Sequence, residues 1–349
     1  MKISVIMPVY KAEKYLADAI ESVLAQDVDL EIIAIDDCSP DSSREILGEL
    51  ARKDSRIKPY FNEENVGVAT VRNLALGYAS GDYLAFCDSD DVVPRGAYKA
   101  LLSVIGKNDI AIGTYENVYD DRGSDGVCPI YPSEKSSLFK SLFSVSCLWT
   151  KLIKREFVVK HNLTFDPSMK IGEDVVFLSH LATKSPSYAV TDFSVYHHCH
   201  HDTSVSRSLT HIYTLAAFSK HIECRNRILT ICESIPEARD FVYINFSGFL
   251  TDFIPLISDL DEREDAFLLY KQHLLAYDFE KKPLLFNDLI GVPYKKLVDM
   301  TASEYFEAKD GTPPRERVFL EFRCGMIGLR WIFKYFFAWL KFKIKRNYE

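Results

Sequence analysis

Asp88-Ser89-Asp90 sets two carboxylates two residues apart, directly after the apolar run Tyr83-Leu84-Ala85-Phe86-Cys87. Carboxylates so spaced at a strand end can reach one hard divalent cation and leave its other positions for phosphate oxygens. Mg2+ or Mn2+ held there would neutralise charge that builds on phosphate as a bond breaks. The competing reading is an acidic surface turn, because Asp-x-Asp alone is common. Gly172-Glu173-Asp174 supplies carboxylates outside that motif. One of them could take the proton from an attacking hydroxyl, a contribution of roughly 10²–10⁴-fold; alternatively both cap a helix expected over Val175 to Thr183. The tract Tyr196-His197-His198-Cys199-His200-His201-Asp202-Thr203-Ser204 gathers four histidines and a cysteine. It is a poor match for structural zinc, whose ligands are usually spaced across a turn or helix.

These residues need a frame. Short apolar runs alternate with 3.6-residue patterns through the first part of the chain, which is a βαβ series. Strands are expected at Ile3 to Val9, Glu31 to Asp36, Ile57 to Phe61 and Tyr83 to Cys87. Between them, Leu16, Ile20, Val23 and Leu24 mark one helix through Gln26, Ile46, Leu47 and Leu50 a second, and Val68, Val71, Ala75 and Tyr78 a third. Ser42-Ser43-Arg44-Glu45 has the form of a capping box, and Gly81 stands where a helix end favours glycine. Such a series implies a parallel sheet covered on both faces, with ligands gathered at the carboxyl ends of its strands. Pro8-Val9-Tyr10, Asp36-Asp37 and Asp88 to Asp91 all stand at such ends. From Thr114 to Ser206 the pattern is mixed and loop-rich; from Leu209 to Leu320 it is mainly helical.

Composition narrows the class. At 349 residues, with 47% hydrophobic and 26% charged residues, the chain has the balance of a folded soluble protein. A net charge of −8 argues against a nucleic-acid partner, which needs a basic footprint. Eight cysteines without a CxxC pair suit a reducing cytoplasm. The chain enters Ile3-Ser4-Val5-Ile6-Met7 without the regions of a secretory signal, so the first strand is expected at the start of the mature protein.

Pro8-Val9-Tyr10, Asp36-Asp37-Cys38-Ser39-Pro40-Asp41, Arg72-Asn73, Gly81-Asp82-Tyr83 and Asp88-Ser89-Asp90-Asp91 occur in an order and spacing that resemble the family 2 glycosyltransferases of the GT-A fold. Trp149-Thr150-Lys151-Leu152 and Gly172-Glu173-Asp174 resemble later elements of that family, and the likeness fades beyond about residue 205. The resemblance implies an α/β, Rossmann-like fold with a mainly parallel central sheet and a C-terminal helical region. It implies a metal-dependent, inverting transfer of a sugar from a nucleotide-sugar, with Pro8, Val9 and Tyr10 at the nucleotide and Tyr10 stacked on its base. Asp37 would accept from a base N–H, which favours uridine and hence a UDP-sugar. Arg72 would reach the diphosphate or fix the Asp pair, while Asp88, Ser89 and Asp90 would hold the nucleotide-sugar, with Asp88 and Asp90 on Mn2+ or Mg2+. Asp174 would be the catalytic base, with Glu173 beside it orienting the acceptor, and His201 would meet the diphosphate or complete the metal shell. Two departures stand out: Lys11 where the family usually has Asn, and Cys38-Ser39 where it has Gly-Ser.

Residues 1–206 are therefore expected to form the GT-A catalytic domain, with a nucleotide-sugar half over 1–113 and an acceptor half over 114–206. Residues 207–320 would form a helical region and 321–349 a basic-aromatic amphipathic helix. In that last segment Arg330, Lys334, Lys341 and Lys345 recur at steps of four, seven and four beside Trp331, Phe336, Phe337 and Trp339. Such a helix suits an anionic membrane surface better than a span of roughly 20 apolar residues; docking on the protein's own core, or pairing two subunits in a homo-oligomer, are the other readings. With a membrane surface, the expected acceptor is a lipid-linked saccharide in surface polysaccharide synthesis at the inner face of a bacterial membrane. Two rival readings meet opposite demands on the sequence. A sugar-phosphate nucleotidyltransferase would need a Gly-rich phosphate loop, and Pro8-Val9-Tyr10-Lys11-Ala12 offers none. A catalytically silent nucleotide-binding scaffold would not need every carboxylate in place.

Overall fold

The computed structural model describes residues 1–120, 123–128, 147–201, 213–235 and 253–276, with Leu138, Leu142 and Ala238. Contacts group the chain into two compact units, Met1–Ser208 with Thr230–Ile235, and Leu209–Leu229 with Pro236–Glu349. The basic-aromatic segment 321–349 and residues 277–320 lie outside the described residues.

The first unit runs β1 (Ile3–Val9), α1 (Leu16–Leu24), β2 (Leu30–Asp36), α2 (Ser43–Lys53), β3 (Ile57–Phe61), α3 (Val68–Tyr78), β4 (Tyr83–Phe86) and α4 (Ala97–Ile105). Then follow β5 (Ile110–Tyr119), β6 (Gly123–Cys128), β7 (Lys151–Lys154), the helices Arg155–Lys160 and Glu173–Thr183, and β8 (Tyr188–His200). The sheet order is β3-β2-β1-β4-β7-β5-β6, with β8 alongside β5. The first four strands are parallel, as their apolar runs predict: all of β2 and all of β1 but Pro8 are buried. Each Leu, Ile or Val so enclosed stabilises by about 1.5–3 kcal/mol relative to exposure. Leu16, Ala19, Ile20 and Val23 of α1 close one face of this core at helical spacing.

The mainly parallel central sheet expected from the sequence is present, with antiparallel neighbours beyond β4. β7 is antiparallel to both β4 and β5, β6 is antiparallel to β5, and β8 runs parallel along β5. The sheet is mixed, with a parallel centre. The stretch expected to be loop-rich contains β8, a 13-residue strand that absorbs most of the histidine tract.

Two local expectations also fail, for identifiable reasons. Ser42 makes no side-chain cap bond. Instead, Ser43 Oγ donates to Asp41 Oδ1 at 2.6 Å and accepts from Ala12 N–H at 2.8 Å, tying the loop after β2 to the loop after β1. Gly81 is not a helix C-cap either, since α3 closes with Ala79 N–H on Ala75 O. A Cβ at Gly81 would sit 2.7 Å from Lys2 O and 2.8 Å from Ser4 N, so this glycine is required by close approach to β1.

In the second unit, Phe253 meets Tyr213, Phe218 and His221 at 5.1, 5.6 and 5.4 Å between ring centroids. Leu215 N–H, at the start of the helix Leu215–Ile231, donates to Glu262 Oε2 on the helix Leu260–Ala276 at 3.0 Å.

The loops at the carboxyl ends of β1 and β2 each carry one residue in the left-handed region, Lys11 at φ 55° and Cys38 at φ 57°. These are the two departures from the family pattern, at positions where Gly removes the clash of Cβ with the carbonyl and Asn offsets it by local hydrogen bonding. Lys11→Asn and Cys38→Gly should each raise stability by about 1 kcal/mol in urea denaturation; unchanged or lower midpoints would contradict the strain argument.

Candidate active site

Because β2, β1 and β4 are adjacent and parallel, their carboxyl ends line one edge of the sheet. Pro8, Val9 and Tyr10 end β1, Asp36 and Asp37 end β2, and Cys87 leads from β4 into Asp88-Ser89-Asp90-Asp91. Asp37 N–H donates to Val9 O and Cys87 N–H to Ile6 O, so pairing continues to the rim.

Arg72 joins that rim to the helix Glu173–Thr183. It is 6% exposed, on the buried face of α3. Nη2 donates to Asp88 Oδ1 at 3.2 Å, and Nη1 makes a short bond to Glu173 Oε1. Burial works against its charge, but Asp88, Glu173 and Asp174 outweigh that cost and hold it cationic. The guanidinium also lies 5.6 Å from the Phe165 ring centroid. Asn73, the next residue, makes two bonds of 2.8 Å to the Phe165 backbone, one donated by Nδ2 and one accepted by Oδ1. These ion pairs are buried at the guanidinium and are not ordinary surface contacts.

Gly172, at φ 77°, opens the helix Glu173–Thr183. Asp174 Oδ1 accepts from Val175 N–H at 2.8 Å, while Oδ2 makes no hydrogen bond to a described residue. Burial and the neighbouring Glu173 charge push the Asp174 carboxyl up to about 7, against the pull of Arg72. Lys151, at the start of β7, is fully buried, with Nζ on Cys147 O at 2.7 Å and Thr150 Oγ1 at 3.2 Å. Burial lowers it to about 8, and the Asp174 charge works the other way.

The acidic loop is crowded. Asp88 is partly exposed, whereas Ser89 and Asp91 are buried. Burial and the Asp88 charge push Asp90 up to about 6, and burial with Asp90 and Asp88 pushes Asp91 well up. A loop so short of positive charge is chemically suited to a divalent cation. Among the described residues no cluster of three or more His, Cys, Asp or Glu side chains could hold a metal on its own. Two carboxylates completed by substrate phosphates is nevertheless the usual mode for Mg2+, so Asp88 and Asp90 fit.

His201 fits less well as a ligand. Its Nε2 faces Asp90 O at 2.9 Å, its Nδ1 faces the Asp120 carboxylate at 3.0 Å, and its ring stacks on Tyr15 at 3.7 Å. Both nitrogens are engaged by the chain, so ligation would require breaking one of these contacts.

Asp37 is likewise occupied. Its Oδ1 accepts from Asn62 Nδ2 at 2.8 Å and Val66 N–H at 2.9 Å, and Oδ2 from Gly67 N–H at 2.8 Å. It thereby holds the entry to α3 as well as standing on the ligand edge, with one bond on Oδ2 and room for another. Tyr10 is half-buried, with Lys11 Nζ 5.3 Å from its ring centroid. No hydrogen bond among the described residues joins the Tyr10 or Asp37 side chain to Asp88, Asp90 or Asp174.

Sequence reasoning passed over Asp91 and Tyr196. Asp91, 2% exposed, accepts from Tyr196 Oη at 2.8 Å and from Cys199 N–H at 2.7 Å. The available signal was a third acidic residue directly after Asp-Ser-Asp and a tyrosine in phase with the alternating histidines of β8.

A family model, Glycosyl transferase family 2, matches residues 4–160. The minor teichoic acid biosynthesis protein GgaB of Bacillus subtilis is 31% identical over 206 residues, covering 56% of this chain and 22% of GgaB. The chain thus spans less than a quarter of that relative. An "Uncharacterized glycosyltransferase" of Haemophilus influenzae is 34% identical over 178 residues, covering 50% of this chain and 70% of that protein. Among solved structures, S. aureus TarS 1-349 in complex with UDP-GlcNAc superposes with a TM-score of 0.64 at 22% identity, covering 86% of this chain and 91% of that one. That likeness speaks to fold. With the family pattern, the mixed sheet and a relative matched over most of its length in agreement, this chain belongs to the family 2 glycosyl transferases.

Proposed function

We propose that this chain is an inverting glycosyltransferase that moves a sugar from a UDP-sugar to a saccharide acceptor in surface polysaccharide synthesis. The observation that carries the reading is Asp174: its Oδ2 has no described hydrogen-bond partner, and it sits in the charge cluster of Arg72, Glu173 and Asp88. A carboxylate with proton affinity near neutrality is what a general base for a sugar hydroxyl requires.

Tyr10 would stack on the base, and Asp37 would use its remaining lone pair for the base N–H. Asp88 and Asp90 would hold Mn2+ or Mg2+, which when bound supplies Lewis-acid stabilisation of the departing diphosphate. Ser89 would line the same turn. Asp174 would draw the proton from the acceptor hydroxyl at Oδ2, and Glu173, fixed by Arg72, would orient that acceptor. UDP-GlcNAc in the TarS complex and the teichoic acid role in the name GgaB support a UDP-sugar donor and a cell-surface polymer.

Among the described residues no helix is long and apolar enough to cross a membrane. The spacing of Arg330, Lys334, Lys341 and Lys345 in the sequence supports a peripheral site on an anionic inner membrane face, with a lipid-linked saccharide as acceptor.

Donor turnover separates this reading from a silent scaffold. Incubation with a panel of nucleotide-sugars and Mn2+ should release UDP slowly from a UDP-sugar; bound UDP with no turnover of any donor would favour the scaffold. Asp174→Asn should abolish transfer and leave UDP affinity nearly unchanged, and wild-type transfer should rise with pH through about 7 as Asp174 loses its proton. A fully active variant removes Asp174 from the mechanism. The same carboxyl contributes to stability with the opposite sense. Its folded proton affinity exceeds the ordinary value of 3.8, so stability present below about pH 4 is lost as pH rises through about 7. Asp174→Asn should therefore melt above the wild type at pH 8 and lose that advantage at pH 4; a lower melting temperature at pH 8 would contradict the burial argument.

A further inference from the structure

We propose that Tyr196 and Asp91 are positioning residues for Asp88 and Asp90, which they serve by fixing the acidic loop onto β8. This rests on reading Asp88 and Asp90 as the cation- and diphosphate-binding pair.

The loop leaves β4 with three carboxylates in four residues, Asp88, Asp90 and Asp91. Mutual repulsion would splay such a loop, so its shape must come from elsewhere. Within the loop, Asp91 N–H on Asp88 O at 3.3 Å is a weak closure. β8 supplies the rest. Asp88 N–H donates to Tyr196 Oη at 3.0 Å, and the same hydroxyl donates to Asp91 Oδ2 at 2.8 Å. Asp91 Oδ1 accepts from Cys199 N–H at 2.7 Å, and Asp90 O faces His201 Nε2 at 2.9 Å. Val92 and His197 exchange backbone bonds of 3.2 and 2.8 Å. Every residue from Asp88 to Val92 except Ser89 is thus held by β8 or by His201 directly after it.

The phenol is central because one hydroxyl can donate and accept at once. It secures the backbone of the first acidic residue and the side chain of the last, which sets the separation of Asp88 from Asp90. The ring cannot follow a drifting loop: it is fully buried and stacks on Trp149 at 4.2 Å and 12°. Asp91 is too buried to take part in binding, and both its oxygens are used on β8. A buried carboxylate held by a hydroxyl and an amide is costly to keep. Its position is accounted for by the register it imposes.

The test uses the full chain and Mn2+ alone as probe, followed by titration calorimetry and by the electron paramagnetic resonance of free Mn2+, with and without UDP. Tyr196→Phe and Asp91→Asn should weaken Mn2+ binding by roughly 10–100-fold, the cost typical of removing a partner that orients a ligand. Tyr98→Phe is the control: it deletes another buried phenol hydroxyl, one with no hydrogen-bond partner among the described residues, and should leave Mn2+ affinity unchanged. Melting temperatures of all three report any general loss of stability. If Tyr196→Phe does not fold, Asp91→Asn carries the test. Wild-type Mn2+ affinity in folded Tyr196→Phe and Asp91→Asn, with affinity lost in Asp88→Asn, would overturn the proposal alone. Unchanged affinity in Asp88→Asn as well would overturn it together with the cation reading.

Discussion

A single buried guanidinium decides what this site can be. Arg72 is desolvated on α3, and an arginine there is tolerable only if its charge is met. Two carboxylates from distant parts of the chain meet it, Asp88 after β4 and Glu173 at the head of a helix more than eighty residues later. The two Nη groups point to different acids, a geometry that the fork of arginine permits and the point charge of lysine does not. Asn73 adds a second tie to the same later segment through the Phe165 backbone. Adjacent residues on one helix thus tie the acidic loop after β4 to the later segment that carries Phe165 and Glu173, and the Asp174 carboxyl is brought into this charge cluster as a consequence.

The two edges of the sheet show opposite electrostatic treatment. At the amino edge, Glu31 is buried, yet the Lys2 ammonium with Ser4 and Ser80 outweighs that burial and holds its carboxyl at about 2. At the carboxyl edge, Asp90 is pushed to about 6 and Asp174 to about 7, and Asp91 is pushed well above the usual carboxylate range, because their surroundings do not offset burial. The first edge is satisfied by its own chain. The second is left in deficit of positive charge, as expected where a ligand rather than the protein completes the electrostatics.

The first four strands and three helices were legible because parallel strands buried on both faces read as continuous apolar runs. The carboxylates were legible as a linked pattern at strand ends. β8 was not, because its polar histidine run carries no apolar alternation and its strand character comes from pairing with β5. The insertion of β7 between β4 and β5 leaves no local mark either. Tyr196 and Asp91 escaped notice because their bond spans 105 positions, beyond any periodicity. Ser42 and Gly81 matched local motifs, but Asp41 took the serine's role and backbone contact with β1 took the glycine. The expected His201 ligand meets a ring whose nitrogens already face Asp120 and Asp90.

The bridge itself can be measured. A double-mutant cycle of Arg72→Met and Glu173→Gln, read by urea denaturation at neutral pH, isolates the energy with which the two residues depend on each other. If Arg72 holds the acidic loop and the later segment together as described, the losses will be non-additive, with a coupling of about 1–3 kcal/mol. Additive losses would mean that the contact is incidental, and that something else keeps Asp174 beside the acidic loop.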